Sequence, residues 1–189
     1  MKKLALIVVL FTTCVSFAKT WHVEQATGDD AAAAEDTSGK TPFKSIQKAL
    51  SKSKDGDTIL VGDGVYTTAD GTTSNQFGRT CLYMTKGITL RSVNGPAKTH
   101  IVGRKGTETP EGLGPNAARC ITVNAAAAGQ KIIEGFTIRD GGTFNVSTTM
   151  GRAGAVYAYN SGFSTIFIVN CVISNCVSYS YLIWTSPGF

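Results

Sequence analysis

The chain has 189 residues, a formal net charge of +5 at pH 7 and 16% charged side chains. Its Lys and Arg residues are spread along the chain, which excludes a typical nucleic-acid-binding protein, because those proteins gather basic residues in patches. No segment beyond the first eighteen residues is long and apolar enough to predict a transmembrane helix.

The first eighteen residues have the three parts of a secretory signal peptide. Lys2-Lys3 is the basic start, Leu4–Phe11 is the apolar core, and Ser16-Phe17-Ala18 is a cleavage site of the small-x-small type. The core is too short to span a bilayer, and Cys14 lacks the preceding small residue of a lipoprotein site. We therefore predict a secreted or cell-surface protein whose mature chain begins at Lys19 and carries a net charge of +3.

The next clear element is a helix, which the sequence predicts over Phe43–Leu50. Thr41 can act as its N-cap, and Pro42 at the first helical position loses no hydrogen bond. Apolar residues at helical spacing form a stripe along one face: Phe43, Ile46, Ala49 and Leu50. Asp55-Gly56 ends the helix, because glycine readily adopts the left-handed conformation found after helix ends.

After the helix, short apolar runs alternate with turns rich in Gly, Asn, Asp and Thr. No further segment has the length and periodicity of a helix. Many short strands separated by turns indicate a sandwich, a barrel or a solenoid. The runs occupy residues 57–61, 65–67, 88–90, 100–102, 120–123, 132–138, 155–157 and 166–173.

An internal repeat favours the solenoid over the other two architectures. Residues 132–140 align with residues 167–175, so that Ile138 corresponds to Ile173. In both copies a bulky pair precedes Gly or Asn, and alternating apolar positions and a polar turn follow. Alternation places Ile138 and Ile173 on an inner face. Asn170 and Asn175 of the second copy suit bends between strands; the alternative for them is an exposed carbohydrate contact. Repeats at this spacing are typical of stacked-repeat proteins.

Four cysteines remain after removal of the signal peptide: Cys81, Cys120, Cys171 and Cys176. An exported chain permits disulfides, and four cysteines allow three complete pairings. The spacing of Cys171 and Cys176 is not that of a zinc site, and no histidine stands near them. We interpret the cysteines as small buried residues or as stabilising bridges.

Several of these segments together match a known pattern: residues 39–50, 56–61, 64–66, 88–96, 101–103 and 133–138. They resemble the right-handed parallel β-helix proteins of the pectate-lyase-like superfamily, and the resemblance covers most of the mature chain. It implies that the helix caps the N-terminal opening, because an open end would expose apolar core and unpaired strand edges. It also implies an extracellular setting and a polysaccharide as ligand or substrate.

The predicted fold class is therefore an all-β solenoid, a right-handed single-stranded parallel β-helix with an N-terminal capping α-helix. We predict a signal peptide at 1–18, a segment with the capping helix at 19–56, and an incomplete set of coils at 57–189. The apolar tail at 181–189 lacks a helix or polar cap, which indicates a C-terminal truncation with an exposed coil open to self-association. The alternative is a tail that serves as its own lid or docks on a partner.

The resemblance also directs attention to proton abstraction beside the carboxylate of an acidic sugar, often assisted by calcium. The catalytic candidates are Asp140 at the end of a predicted strand, Arg139 pointing outward because Ile138 points inward, and Arg152 in the next loop. The alternative for Asp140 is a turn residue before Gly141-Gly142. No outward pair or trio of aspartates appears at strand spacing, so no metal site is predicted, and calcium is a cofactor only by resemblance.

Carbohydrate-binding candidates come from a loop and from one strand. Lys105 belongs to the long insertion 103–118, and loops of this length often carry function. Tyr157 and Tyr159 alternate along a predicted strand and could stack on a sugar ring, or could pack against the core and the next coil. We expect a secreted protein that binds or processes acidic extracellular polysaccharide; the rival is a non-enzymatic surface adhesin or scaffold, because fold alone does not decide function.

Overall fold

The structure is a computed structural model that describes residues 17–31, 38–70, 73–75, 78–126, 129–143, 152–160 and 164–178. Most of the predicted signal peptide and the apolar tail at 181–189 lie outside the described residues. Within the described ranges, no helix has the length and hydropathy needed to cross a membrane.

The described residues form thirteen short strands and one α-helix. The helix α1 covers Ile46–Lys52. The strands are β1 Thr20–Val23, β2 Thr58–Val61, β3 Gly64–Thr67, β4 Thr73–Asn75, β5 Gly78–Met84, β6 Thr89–Ser92, β7 Thr99–Val102, β8 Ala118–Asn124, β9 Lys131–Glu134, β10 Thr137–Arg139, β11 Val156–Tyr159, β12 Ile166–Val169 and β13 Val172–Ser174.

Strands from successive coils stack into three sheets. Sheet A has the order β1-β2-β6-β9-β12, sheet B the order β13-β10-β7-β3, and sheet C the order β11-β8-β5-β4. Every pairing between coils is parallel, and only β4 folds back antiparallel on β5 among the described strands. The predicted β-solenoid is thereby confirmed, with about four turns.

The core is built from ladders of inward side chains in register. In sheet A, Ile59 pairs with Leu90 and Leu90 with Ile133, and all three are fully buried. In sheet B, Ile101 lies between Tyr66 and Ile138 in the same manner. Because side chains alternate along a strand, this register places the inward residues of neighbouring coils directly over one another.

The internal repeat predicts the register of the last two coils correctly. Ile138 pairs with Ile173, and Ile133 pairs with Ile168. Bends recur at the same spacing with left-handed backbone, at Asp140 with φ 58° and at Asn175 with φ 51°. Asp and Asn tolerate this conformation better than most residues, because their side chains bond nearby backbone groups.

The helix begins later than the sequence predicts. Phe43 is extended and forms a parallel bridge with Val23, and its amide donates to the His22 carbonyl at 2.8 Å. The N-cap is Ser45, whose side chain accepts from the Lys48 amide, so the predicted caps at residues 41–42 lie before the helix. Strand pairing with β1 overrides the local helix signal there, and α1 then packs its buried residues near β1, β2 and β5.

The last described coil presents apolar side chains to solvent. Ile168 is 43% exposed and Ile173 is 51% exposed, although their partners one coil below are fully buried. The same ladder position is therefore core in one coil and surface in the next.

Candidate functional site

The outward face of sheet B collects polar residues from three successive coils. Ile101 and Ile138 point into the core, so the alternate residues His100 and Arg139 point away from it. Their strands are paired with Thr137 opposite His100, which places Arg139 diagonally across from the imidazole. The left-handed bend at Asp140 follows at once and turns its carboxylate toward this face.

These side chains form a continuous row of hydrogen bonds, which we call the polar row: His100, Arg139, Asp140, Asn175 and Lys105. Arg139 Nε donates to His100 Nδ1 at 3.5 Å, and Arg139 Nη1 donates to Asp140 Oδ2. Asn175 Nδ2 donates to Asp140 Oδ1, and Lys105 Nζ donates to Asn175 Oδ1 at 2.6 Å. The row therefore joins the coil of β7, the coil of β10 and the coil of β13.

The loop between β7 and β8 holds Lys105 in place. Gly106 N donates to Gly112 O at 2.7 Å, and Arg104 Nε donates to Asn116 O at 2.6 Å. Glu108 accepts from the Thr107 amide at 2.8 Å, which ties the loop to itself. These contacts make the predicted insertion an ordered loop that delivers one ammonium group to the polar row.

The ion pair at the centre of the polar row is accessible. The side chains of Arg139 and Asp140 are 35% and 26% exposed. Both carboxylate oxygens of Asp140 accept hydrogen bonds, one from Arg139 and one from Asn175. Because both oxygens of Asp140 accept from protein donors, the carboxylate orients the guanidinium of Arg139 and the side-chain amide of Asn175.

The structure thus brings three predicted site residues together, Arg139, Asp140 and Lys105. Arg152 is exposed, and its carbonyl accepts from Arg119 Nε at 2.9 Å, which anchors its backbone to β8. Asn175, the repeat equivalent of Asp140, is predicted at a bend, with a carbohydrate contact as the alternative. Sequence reasoning missed His100, which gives no local signal because its partner lies 39 residues away.

The predicted aromatic residues lie on another face, in sheet C. The rings of Tyr157 and Tyr159 stack with centroids 6.1 Å apart, and Tyr157 is only 8% exposed. The guanidinium of Arg119 covers the Tyr157 ring at 4.9 Å. Burial raises the pKa of Tyr159, and the hydrogen bond between the hydroxyls of Tyr159 and Tyr83 raises it further. Of the two rings, only that of Tyr159 is half-exposed, and sugar stacking there stays a prediction.

The polar row carries two cations and one carboxylate, so it presents net positive charge beside an accessible guanidinium. Such a surface fits carboxylate groups, which an Arg fork binds through two parallel hydrogen bonds. Among the residues that the structure describes, no group of three or more His, Cys, Asp or Glu side chains could hold a metal ion. The calcium dependence implied by resemblance stays a prediction.

Comparison with known protein families, with curated proteins and with solved structures found no match for this chain. The interpretation of the polar row therefore depends on its geometry and charge.

Proposed function

We propose that this chain is an exported right-handed parallel β-helix protein of the pectate-lyase-like superfamily that binds acidic polysaccharide along the outward face of sheet B. The observation that carries the proposal is the polar row, in which two cations lie on an exposed face and are held by hydrogen bonds from three coils. The sequence resemblance and the predicted signal peptide support the extracellular setting.

The dimensions of the polar row suit a polymer. Strands in neighbouring coils lie about 4.8 Å apart, so a row that crosses three coils extends about 10 Å along the stack. Lys105 and Arg139 lie at different heights of this row and are linked through Asn175 and Asp140. A chain of acidic sugars can therefore contact the face at more than one carboxylate, which adds affinity without requiring a deep pocket.

The hydrogen bonds of Asp140 favour a binding role over a catalytic one. A base that removes a proton must have a free lone pair within hydrogen-bond reach of the substrate. Both oxygens of Asp140 already accept from protein donors, which leaves the carboxylate fewer lone pairs for a substrate proton. Arg139, in contrast, has donors left over, since a guanidinium carries five N–H groups, and it can bind a sugar carboxylate while Asp140 keeps it oriented.

The test is the binding of polygalacturonate, with neutral dextran as the comparison, measured by isothermal titration calorimetry at two salt concentrations. Replacing Arg139 with Ala should weaken binding roughly tenfold to a hundredfold, because a hydrogen bond to a charged group contributes about 1.5–3 kcal/mol. The affinity of Arg139→Lys should lie between those of the unmodified chain and Arg139→Ala, since Lys lacks the planar guanidinium fork. Raising the salt concentration should weaken binding to polygalacturonate.

Arg91→Ala is the matched control. Arg91 forms an ion pair with Glu134 at 2.7 Å on the outward side of sheet A, so its loss removes the same charge from a similar pair on another face. An equal loss in both variants would show unspecific charge attraction and contradict the proposal. Absence of binding to polygalacturonate in the unmodified chain would favour the scaffold instead, and calcium-dependent release of unsaturated sugars would show a lyase.

A further inference from the structure

Three successive coils enter sheet A beside a glycine. Gly56, Gly87 and Gly129 each stand two residues before the strand that follows, which is β2, β6 or β9. The Gly56 amide donates to the Gly87 carbonyl at 2.7 Å, and a Cβ added at Gly129 would lie 3.5 Å from the Gly87 Cα. The three glycines are therefore stacked at one corner of the solenoid. Because they carry no side chains, they line a groove of about 300 Å³ that crosses three coils and that we call the glycine groove.

Polar side chains from the same three coils line the glycine groove: Asp55, Thr89 and Gln130. Asp55 Oδ1 accepts from the Gly87 amide at 2.7 Å, which holds the carboxylate at the groove. Among the described residues, Asp55 Oδ2 and the side chains of Thr89 and Gln130 have no hydrogen-bond partner. The glycine groove thus offers a carboxylate that accepts, together with a hydroxyl and an amide that both accept and donate.

Apolar side chains continue the groove toward the last coil. Ile133 points into the core, so Ile132 points outward, and Ile132 lines the groove. Phe167 pairs with Ile132 one coil further on and therefore lies on the same outward side of sheet A. The Phe167 side chain is 41% exposed. An accessible aromatic ring therefore stands at one end of a groove that is lined by hydrogen-bonding groups.

We infer that the glycine groove and the Phe167 ring bind a short neutral oligosaccharide of pyranose units. The C–H face of one sugar packs on the aromatic ring, and the hydroxyls of the neighbouring sugars bond to Asp55, Thr89 and Gln130. From β2 to β12 there are three coil spacings, or about 14 Å, so the ligand extends along the stack. The groove volume is at the lower end of the range for small-molecule sites, which suits sugar rings.

The charges at the glycine groove favour a neutral sugar over an acidic one. Asp55 is exposed, and its carboxylate repels the carboxylate of an acidic sugar. Lys86 Nζ donates to the carbonyls of Leu50 at 3.2 Å and Ser51 at 3.1 Å, so this ammonium is directed to the end of α1. Lys131 is fully buried and is not offered to a ligand. The glycine groove is in this respect the opposite of the polar row, which carries two cations.

The experiment titrates the full chain with cellohexaose, a neutral oligosaccharide of β-linked glucose whose ring faces carry C–H groups and whose hydroxyls lie at the ring edges. Isothermal titration calorimetry measures the affinity at two salt concentrations, and the amide signals of the isotopically labelled chain locate the site. We expect shifts at Gly56, Gly87, Gly129 and Gln130 and an affinity that salt does not change, because the ligand is uncharged.

Two substitutions test the two sides of the site. Phe167→Ala should weaken cellohexaose binding roughly tenfold, whereas Phe167→Tyr, which keeps the ring, should bind like the unmodified chain. Val169→Ala is the matched control, because Val169 is 45% exposed on the same side of β12 but lies further from the groove, and it should leave the affinity unchanged. Gln130→Ala, at an exposed bend, should weaken binding about threefold to tenfold through a lost hydrogen bond.

Absence of cellohexaose binding to the unmodified chain would overturn the inference. An equal loss in Phe167→Ala and Val169→Ala, or full affinity in Gln130→Ala, would place the sugar elsewhere and also overturn it. Hexagalacturonate is the acidic ligand of equal length, and its binding to the glycine groove with the same amide shifts would contradict the choice of a neutral sugar. Arg139→Ala should leave cellohexaose binding unchanged, so the outcome is separate from that for the polar row.

Discussion

Replacement of Asp57 by Ala should destabilise the start of the solenoid more than any exposed acidic substitution. The side chain is only 3% exposed and joins three parts of the chain. Oδ2 accepts from Trp21 Nε1 and from the Lys54 amide, and Oδ1 accepts from the Lys19 amide, each at 2.8 Å. Asp57 therefore ties β1 to the turn between α1 and β2.

The magnitude follows from what each donor loses. Trp21 is 5% exposed, so its indole N–H would be left buried without a partner, at a cost of about 1–3 kcal/mol. The backbone amides of Lys19 and Lys54 can donate to water instead, and each lost hydrogen bond costs about 1 kcal/mol. The total is roughly 3–5 kcal/mol. In a chain of this size that lowers the unfolding temperature by roughly 6–20 °C.

The acidity of Asp57 gives the same prediction a pH dependence. Burial raises the pKa of its carboxyl, but the hydrogen bonds from Lys19, Trp21 and Lys54 and the charge of Lys19 outweigh it and hold the pKa below the ordinary value of 3.8. A carboxyl with a depressed pKa in the folded state stabilises the fold above its unfolded pKa, and this contribution is lost as the pH falls through the folded value. The difference between the unmodified chain and Asp57→Ala should therefore shrink below about pH 3.8.

Thermal unfolding followed by circular dichroism at pH 7 and pH 3 measures both effects. Asp63→Ala is the matched control, because Asp63 is exposed and accepts one hydrogen bond from Asn94 at 2.8 Å. It should change the free energy of unfolding by no more than about 0.5 kcal/mol. Equal unfolding temperatures for the two variants, or a difference between Asp57→Ala and the unmodified chain that persists unchanged at pH 3, would contradict this role of Asp57.

Three further substitutions test the stacking of the coils, each by chemical denaturation. Ile138→Ala removes a fully buried ladder residue and should cost about 2–5 kcal/mol, whereas Val65→Ala at an exposed position should cost far less. Gly141→Ala should destabilise by about 1–3 kcal/mol, because the new methyl group would lie 2.0 Å from the Gly154 carbonyl oxygen. Asn175→Gly should be tolerated better than Asn175→Ala, since φ is 51° there and Ala loses about 1–2 kcal/mol in that conformation. A reversed order of the free energies of unfolding within any of these comparisons would contradict the position of that residue in the stack.

The parts of the fold that the sequence predicts well are those with a visible period. Ile138 and Ile173 occupy equivalent places in the internal repeat, and the structure pairs them directly. Three of the described strands, β1, β4 and β5, lie outside the runs that the sequence predicts. The residues of β5 are buried on both faces over much of their length, so they lack the alternation that identifies a half-buried strand.

The candidate site was predictable only in part. Arg139 and Asp140 are neighbours in sequence, and alternation alone placed the first on the outward face. His100 and Lys105 join them from another coil, and their distance along the chain hides the contact. The predicted start of α1 was wrong for the same reason. The bridge between Phe43 and Val23 pairs two segments that are distant in the sequence.

Successive coils stack in parallel, with Ile101, Ile138 and Ile173 on one ladder. Nuclear Overhauser contacts in the folded, isotopically labelled chain measure this stacking directly. We expect contacts from residues 137–139 to residues 100–102 on one side and to residues 172–174 on the other, running in the same chain direction. Contacts that run in opposite directions between these segments, or a register displaced by one residue, would contradict it.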